Sequence, residues 1–199
     1  AAWAQLPEIL VQIQDPVFPA RNYVITNFGA VADGRTDATK AISRAIDTCA
    51  MAGGGHVVIP AGEFLTGAIH LKSNVDLHLD TNAVLKFSTD PKAYLPAVFT
   101  RFEGIECYNY SPLIFAVGQK NVAVTGAGTL DGQANDSNWL AWKGRKGPVD
   151  GTQKAARARL DQMNNDNVPV DQRRFGAGDF LRPDFIQFQR CRNVLVEGV

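Results

Sequence analysis

Residues 57–87 read VVIPAGEFLTGAIHLKSNVDLHLDTNAVLKF. Within them Val57–Pro60, Phe64–Leu65, Ala68–Leu71, Val75–Leu79 and Ala83–Phe87 are short apolar or alternating runs. Turn residues part them: Pro60-Ala61-Gly62, Lys72-Ser73-Asn74 and Asp80-Thr81-Asn82. Strands this short, in such quick succession and with no helix between them, predict an all-β solenoid. One pattern recurs further along. Asn74-Val75-Asp76-Leu77, Asn121-Val122-Ala123-Val124 and Asn193-Val194-Leu195-Val196 each join a turn asparagine to an alternating strand. The first two asparagines are 47 residues apart, which reads as about two coils of a solenoid built from twenty-odd residues per coil. The next gap, 72 residues, contains a long polar insertion and sets no period. The expected fold is a right-handed parallel β-helix, with a β-sandwich as its rival.

Upstream lies one clear helix, predicted over 37–52. Ala38, Ala41, Ile42, Ala45, Ile46, Cys49 and Ala50 form a continuous apolar stripe at helical spacing. Thr36 is read as its N-cap, with Asp37 in the first turn where a carboxylate suits the helix dipole. Gly53-Gly54-Gly55 stops it by supplying left-handed backbone. No Lys-Ser/Thr follows those glycines, so they are not a phosphate loop. The helix is expected to cap the first coil and cover its exposed strand edges. Residues 1–22 read as a lead-in with a short amphipathic piece at Leu6–Ile13. Residues 23–199 read as the N-terminal part of a single β-helix domain with a long insertion at about 133–180.

Composition bounds the function. With 199 residues, 45% apolar content and twenty basic against twenty acidic residues, the chain is long enough for a sizeable core. It carries no overall pull toward nucleic acid or anionic lipid. No apolar run approaches the length of a membrane span. Cys49, Cys107 and Cys191 stand alone, giving neither a disulfide framework nor a zinc pattern. His56, His70 and His78 do not supply one, and the strand positions of His70 and His78 suit scaffold roles; no cofactor or metal is expected. Ala1-Ala2-Trp3-Ala4 has no signal-peptide character, and a processed secreted protein would share that feature with a cytosolic one.

The insertion is distinctive. Between Lys143 and Arg174 eight basic residues face four acids. Ala155–Met163 could form a short helix. Long loops in compact domains tend to carry function, the alternative being a solvated surface. Trp139 and Trp142 could stack a sugar ring, but packing of the insertion is the preferred reading.

The pieces Phe28-Gly29-Ala30, Asp33-Gly34, Thr36-Asp37, Gly53-Gly54-Gly55 and Pro60-Ala61-Gly62 together resemble the N-terminal module of pectin-degrading β-helix enzymes. Leu71-Lys72-Ser73-Asn74-Val75, the run Thr100 to Pro112 and Gly126-Ala127-Gly128-Thr129-Leu130-Asp131-Gly132 narrow the resemblance to polygalacturonases, family 28 of the glycoside hydrolases, of the exo-acting bacterial kind. That resemblance implies inverting hydrolysis of α-1,4 galacturonide bonds in a pectic polysaccharide or oligogalacturonide, and a secreted or periplasmic location. Inversion needs an acid and a base carboxyl about 6.5–9.5 Å apart, with water between them. The family supplies its site from Asn-x-Asp, Asp-Asp, His-Gly and Arg-x-Lys motifs. This sequence has no Asp-Asp, His-Gly or Arg-x-Lys. Its two Asn-x-Asp runs, at Asn74 and Asn164, fall on a scaffold strand and in the insertion. No catalytic residue is therefore expected in the chain; the catalytic coils belong after Val199, and residues 1–199 alone should be inactive and poorly soluble. The expected substrate-facing residues are Arg101 and Glu103 on a loop approaching Leu113, Asn109 and Tyr110 close behind, and Arg182. A guanidinium suits a uronate carboxylate, and Asn and Glu suit sugar hydroxyls. A plain Arg101–Glu103 surface ion pair is the alternative for that couple. The competing function is a non-catalytic β-helix that binds carbohydrate or a partner protein.

Overall fold

A computed structural model describes residues 2–144 and 151–199. A short helix, α1 (Leu6–Gln12), opens it with every residue exposed. The first coil then runs through β1 (Asn22–Val24), β2 (Asp33–Asp37) and α2 (Thr39–Met51). The second contains β3 (Gly55–Ile59), β4 (Gly62–Thr66) and β5 (Ile69–His70). The third contains β6 (Val75–Leu79) and β7 (Ala83–Phe87), leaves the solenoid for a hairpin of β8 (Val98–Phe102) and β9 (Ile105–Asn109), and returns as β10 (Ile114–Val117). The fourth contains β11 (Lys120–Gly126) and β12 (Thr129–Asp131). It leaves again through α3 (Trp139–Trp142) and α4 (Lys154–Asn165) and returns as β13 (Ile186–Gln189). The last strand is β14 (Arg192–Glu197).

The second, third and fourth coils each give one strand to each of three walls. The walls are β1-β3-β6-β11-β14, β2-β4-β7-β12 and β5-β10-β13, parallel throughout. This is a right-handed parallel β-helix. In the first coil α2 takes the third side, beside β5, so the solenoid's first edge is covered by a helix. The helix buries Ala41, Ile42, Ala45, Ile46 and Cys49 into the main core. Its start differs from expectation. Residues Asp33–Asp37 are strand, Thr36 bonds the Asp33 carboxylate instead of capping, and Asp37 Oδ1 accepts from Thr39 N at 2.9 Å. Pairing with β4 outcompetes the helix at those residues. At the other end Gly53 and Gly54, at φ +87° and +104°, turn the chain into β3; a Cβ on Gly54 would collide with Asn74.

The core is a stack of like residues. Val57, Leu77, Val124 and Val196 are register partners on consecutive coils, and the first three are completely buried. Each such side chain contributes about 1.5–3 kcal/mol by leaving water. The register corrects the coil count. Gly55 pairs with Val75, 20 residues on, but Val75 pairs with Val122 and Val122 with Val194. The 47-residue gap is therefore one coil carrying the hairpin, not two plain coils, and the 72-residue gap is one coil carrying α3 and α4.

Candidate functional site

The two excursions pack together beside the β5-β10-β13 wall. Alternation in β8 and β9 divides the hairpin into two faces. Thr100, Phe102, Cys107 and Asn109 face inward and are buried. Phe102 and Cys107 join Ala156, Leu160, Phe175 and Leu181 in a second small core, so α4 forms because its buried stripe has a hairpin to cover. On the outward row of β13, Gln187 Oε1 accepts from Thr100 Oγ1 at 2.6 Å, tying hairpin to wall. Trp139 and Trp142, both nearly buried, pack edge-to-face at 4.9 Å, and Trp142 also meets Tyr110 and Phe180. The tryptophans thus anchor the excursion and present no stacking platform to solvent.

The five substrate-facing candidates do not converge. Arg101 and Glu103 lie on the antiparallel hairpin, not on a loop, because Val98–Phe102 and Ile105–Asn109 pair residue for residue. Nor do they pair with each other. Arg101 Nη2 reaches Glu106 Oε1 at 3.2 Å, its cross-strand partner, while Glu103, at the hairpin turn, binds Arg157 Nε at 2.7 Å. Asn109 is buried: its Nδ2 donates to Leu181 O at 3.0 Å, and its Oδ1 has no partner. Tyr110 is buried as well, and burial first, then the nearby Asp179 carboxylate, pushes its hydroxyl above the usual tyrosine range. Arg182, half-buried, donates from Nε to Gln153 Oε1 at 3.3 Å. It lines a cavity of about 370 Å³ together with Leu113, Asp131, Trp139 and Phe185. The buried indole N–H of Trp139 has no partner there. Arg101 and Arg182 remain open to a ligand, in separate places.

The basic excursion is also less free than its composition implied. Arg157 is neutralised by Glu103. Arg159 is neutralised by Asp179 at 2.7 Å and lies over the Phe175 ring. Arg173 is buried and donates to Val168 O and Asn164 Oδ1. Arg145, Lys146 and Asp150 lie outside the described residues.

What sequence reading missed is the outward face of the hairpin. Phe99 and Arg101 on β8 oppose Tyr108 and Glu106 on β9. Glu106 Oε1 accepts from Arg101 and, at 3.0 Å, from Arg190 Nη2. These hydrogen bonds, Arg101's first, hold its carboxyl below the ordinary range against some desolvation. Arg190 lies over Phe99 at 5.0 Å and Arg174 over Tyr108 at 4.5 Å, with the two rings 5.9 Å apart. The period-2 alternation of 98–109 was the signal that could have found this face. The Asn74-Val75-Asp76 run, in contrast, is scaffold. Asp76 is buried, receives Thr125 Oγ1 at 2.9 Å and sits 2.7 Å from His56 Nδ1. Among the described residues no group of three or more His, Cys, Asp or Glu side chains could hold a metal.

Comparison with known proteins places this architecture. A solved exopolygalacturonase of Thermotoga maritima is 48% identical over 97% of the chain, with a TM-score of 0.92. The chain is similar to part of a polygalacturonase. It also matches, at residues 21–94, the family described as rhamnogalacturonase A/epimerase, pectate lyase-like. The exo-poly-alpha-D-galacturonosidase of Dickeya chrysanthemi is 34% identical over 54% of it. The family 28 exopolygalacturonase of Yersinia enterocolitica is 26% identical over 90% of it, with a TM-score of 0.61. The chain spans only part of these proteins: 44% of the Thermotoga chain, 34% of the Yersinia chain and 19% of the Dickeya one. No helix among the described residues is long and apolar enough to cross a membrane.

Proposed function

We propose that these residues are the scaffold and substrate-approach portion of a polygalacturonase-type hydrolase that cleaves α-1,4 galacturonide bonds with inversion, outside the cytoplasm where pectic polymer is met. The observation that carries this is the near-complete superposition on an exopolygalacturonase at 48% identity. The carboxylate pair that inversion demands lies in a part of the enzyme these 199 residues do not include, since none of the Asp-Asp, His-Gly and Arg-x-Lys elements is among them. Of the five residues singled out in the sequence, Arg101 is assigned to a uronate carboxylate, its guanidinium being half-exposed and planar. Arg182 serves the cavity beside Asp131. Glu103 holds Arg157, and Asn109 and Tyr110 hold the excursions to the solenoid.

Hydrolysis of polygalacturonate followed by proton NMR tests the reading. Residues 1–199 alone should release no reducing ends, because loss of a jointly acting catalytic set costs orders of magnitude in rate. The enzyme extended through coils carrying Asn-x-Asp, Asp-Asp, His-Gly and Arg-x-Lys should release the β-anomer first. Turnover by residues 1–199, or release of the α-anomer by the longer enzyme, would overturn it.

A further inference from the structure

We propose that His56 and His78 form a two-imidazole site for a late first-row divalent cation, Zn2+ or Cu2+, on the outer face of the β1-β3-β6-β11-β14 wall. The inference goes beyond the pectic reading above and does not depend on it.

The two histidines come from consecutive coils. On β6 the inward row is Val75, Leu77 and Leu79, all completely buried, so Asp76 and His78 belong to the outward row. His56 on β3 stands in register with Asp76, and Thr125 on β11 with His78. Asp76 is nonetheless buried among them. Its Oδ2 lies 2.7 Å from His56 Nδ1, and Thr125 Oγ1 donates to its two oxygens at 2.9 and 3.0 Å. His78 Nδ1 lies 2.8 Å from Thr125 Oγ1. Counting hydrogens assigns both rings. A carboxylate only accepts, so His56 Nδ1 carries a proton. Thr125 has one hydroxyl hydrogen and gives it to Asp76, so His78 Nδ1 must donate to the hydroxyl oxygen. A neutral imidazole protonated at Nδ1 keeps its lone pair on Nε2. Among the described residues neither Nε2 makes a hydrogen bond. One ring nitrogen tied to a carboxylate or hydroxyl, with the other left free, is how metal-binding histidines are held.

The rings are also spaced to share an ion. Their centres are 6.4 Å apart with the planes at 80°. Two imidazoles on one ion, at metal–nitrogen distances of about 2 Å, hold their ring centres roughly 5–6.5 Å apart. Asp80 Oδ1 is 3.9 Å from His78 Nε2, too far for a hydrogen bond and placed to accept from a water on the ion. The described residues offer no third side-chain ligand, so water fills the remaining positions. The surrounding groove is bounded on the lead-in side by Phe18, which packs edge-on against His56 at 5.8 Å. Its described lining includes Asp76 and Asp80 but no lysine or arginine, which suits a cation and not an anion. Imidazole nitrogen selects zinc and copper over calcium and magnesium, which prefer oxygen. Held there, the ion fastens the second coil to the third. His70 is built differently: Ser111 Oγ donates to Pro112 O, so it accepts from His70 Nε2 at 2.9 Å, and that nitrogen is occupied.

The experiment is isothermal titration of the untagged, chelator-stripped chain with zinc chloride and copper chloride, with calcium chloride as the comparison. One Zn2+ or Cu2+ should bind per chain and Ca2+ should not. Zn2+ at about a hundredfold excess over its dissociation constant should raise the thermal unfolding midpoint by several degrees. His56→Gln or His78→Gln should weaken binding by about tenfold or more and abolish that rise. Glutamine keeps an N–H donor for Asp76 or Thr125, so both variants should fold. His70→Gln should bind like wild type. Thr125→Val removes no ligand but frees His78 Nδ1, and should weaken binding by about tenfold. Before metal is added, imidazole nitrogen NMR at pH 8 should show both His56 and His78 protonated at Nδ1, and Zn2+ should then shift their Nε2 signals. Three results would each overturn the site: no binding of Zn2+ or Cu2+, Ca2+ binding as tight as Zn2+, or binding indifferent to loss of either histidine. A ring protonated at Nε2 in the metal-free chain would overturn the tautomer assignment and the site with it.

Discussion

Asn121 donates its side-chain amide to Asn74 Oδ1 at 3.0 Å, and its own Oδ1 accepts from Asn193 Nδ2 at the same distance. Three asparagines separated by 47 and 72 residues in sequence are thus neighbours in one ladder. All three occupy left-handed backbone, at φ 65°, 52° and 53°, which asparagine tolerates better than most residues. Asn121→Ala breaks both ladder bonds and strains the turn, and should destabilise the chain by about 1–3 kcal/mol in urea unfolding. Asn121→Gly relieves the strain but not the lost bonds and should fall between Ala and wild type. An Asn121→Ala protein as stable as wild type would show that the ladder contributes nothing.

The thiols should separate by reactivity. Burial pushes Cys49 up to about 11 and Cys107 up to about 12, whereas Cys191 is half-buried. The thiolate is the reactive form. An aromatic disulfide reagent at pH 8 should label one cysteine per chain without denaturant and three with it, and peptide mapping should identify the first as Cys191. Early labelling of Cys107 would mean that the hairpin lifts from α4.

Asp33 should titrate far below an ordinary carboxylate. Hydrogen bonds from Thr36, side chain first and then backbone, and from Arg35 N bring it to about 2. Because the folded value is depressed, the turn is fully held above the ordinary carboxylate range and is released as pH falls toward 2. Carboxyl carbon NMR should show that midpoint, and Thr36→Val should move it upward. A midpoint near 4 in wild type would contradict the bonding seen here.

Removing Trp142 should loosen the excursion and spare the solenoid. The indole packs against Trp139, Tyr110 and Phe180, and truncating a buried aromatic costs about 3–5 kcal/mol. Trp142→Ala should speed amide exchange in Lys154–Asn165 and Ile105–Asn109 while Val75–Leu79 and Lys120–Gly126 stay protected. Equal acceleration in those strands would mean the two parts unfold as one.

The solenoid was legible in the sequence because its signal is local. Turn asparagines, triple glycine and alternating runs such as Val75–Leu79 report backbone demands that each residue meets by itself. Coil boundaries were less legible. Nothing in the 47-residue spacing distinguishes two plain coils from one coil with a hairpin; only the pairing of Val75 with Val122 does so. The candidate site was least legible, because its members come from β8, β9, residue 174 and the turn after β13. Arg101 stands out as an arginine in a familiar run, yet its partner is Glu106 across the hairpin rather than Glu103 two residues away. Asn109 and Tyr110 read as sugar-binding types but face inward, since the alternation that exposes Tyr108 buries Asn109 and the turn after it carries Tyr110 under Trp142.

The excursions have a further consequence. Valines 75, 122 and 194 stay in register although the chain between them grows from 47 to 72 residues. Closing a flexible loop becomes harder only with the logarithm of its length, by roughly 0.6 kcal/mol for each doubling. An outgrowth half as long again therefore costs the solenoid little, and the valine column holds its register beneath a short excursion and a long one alike.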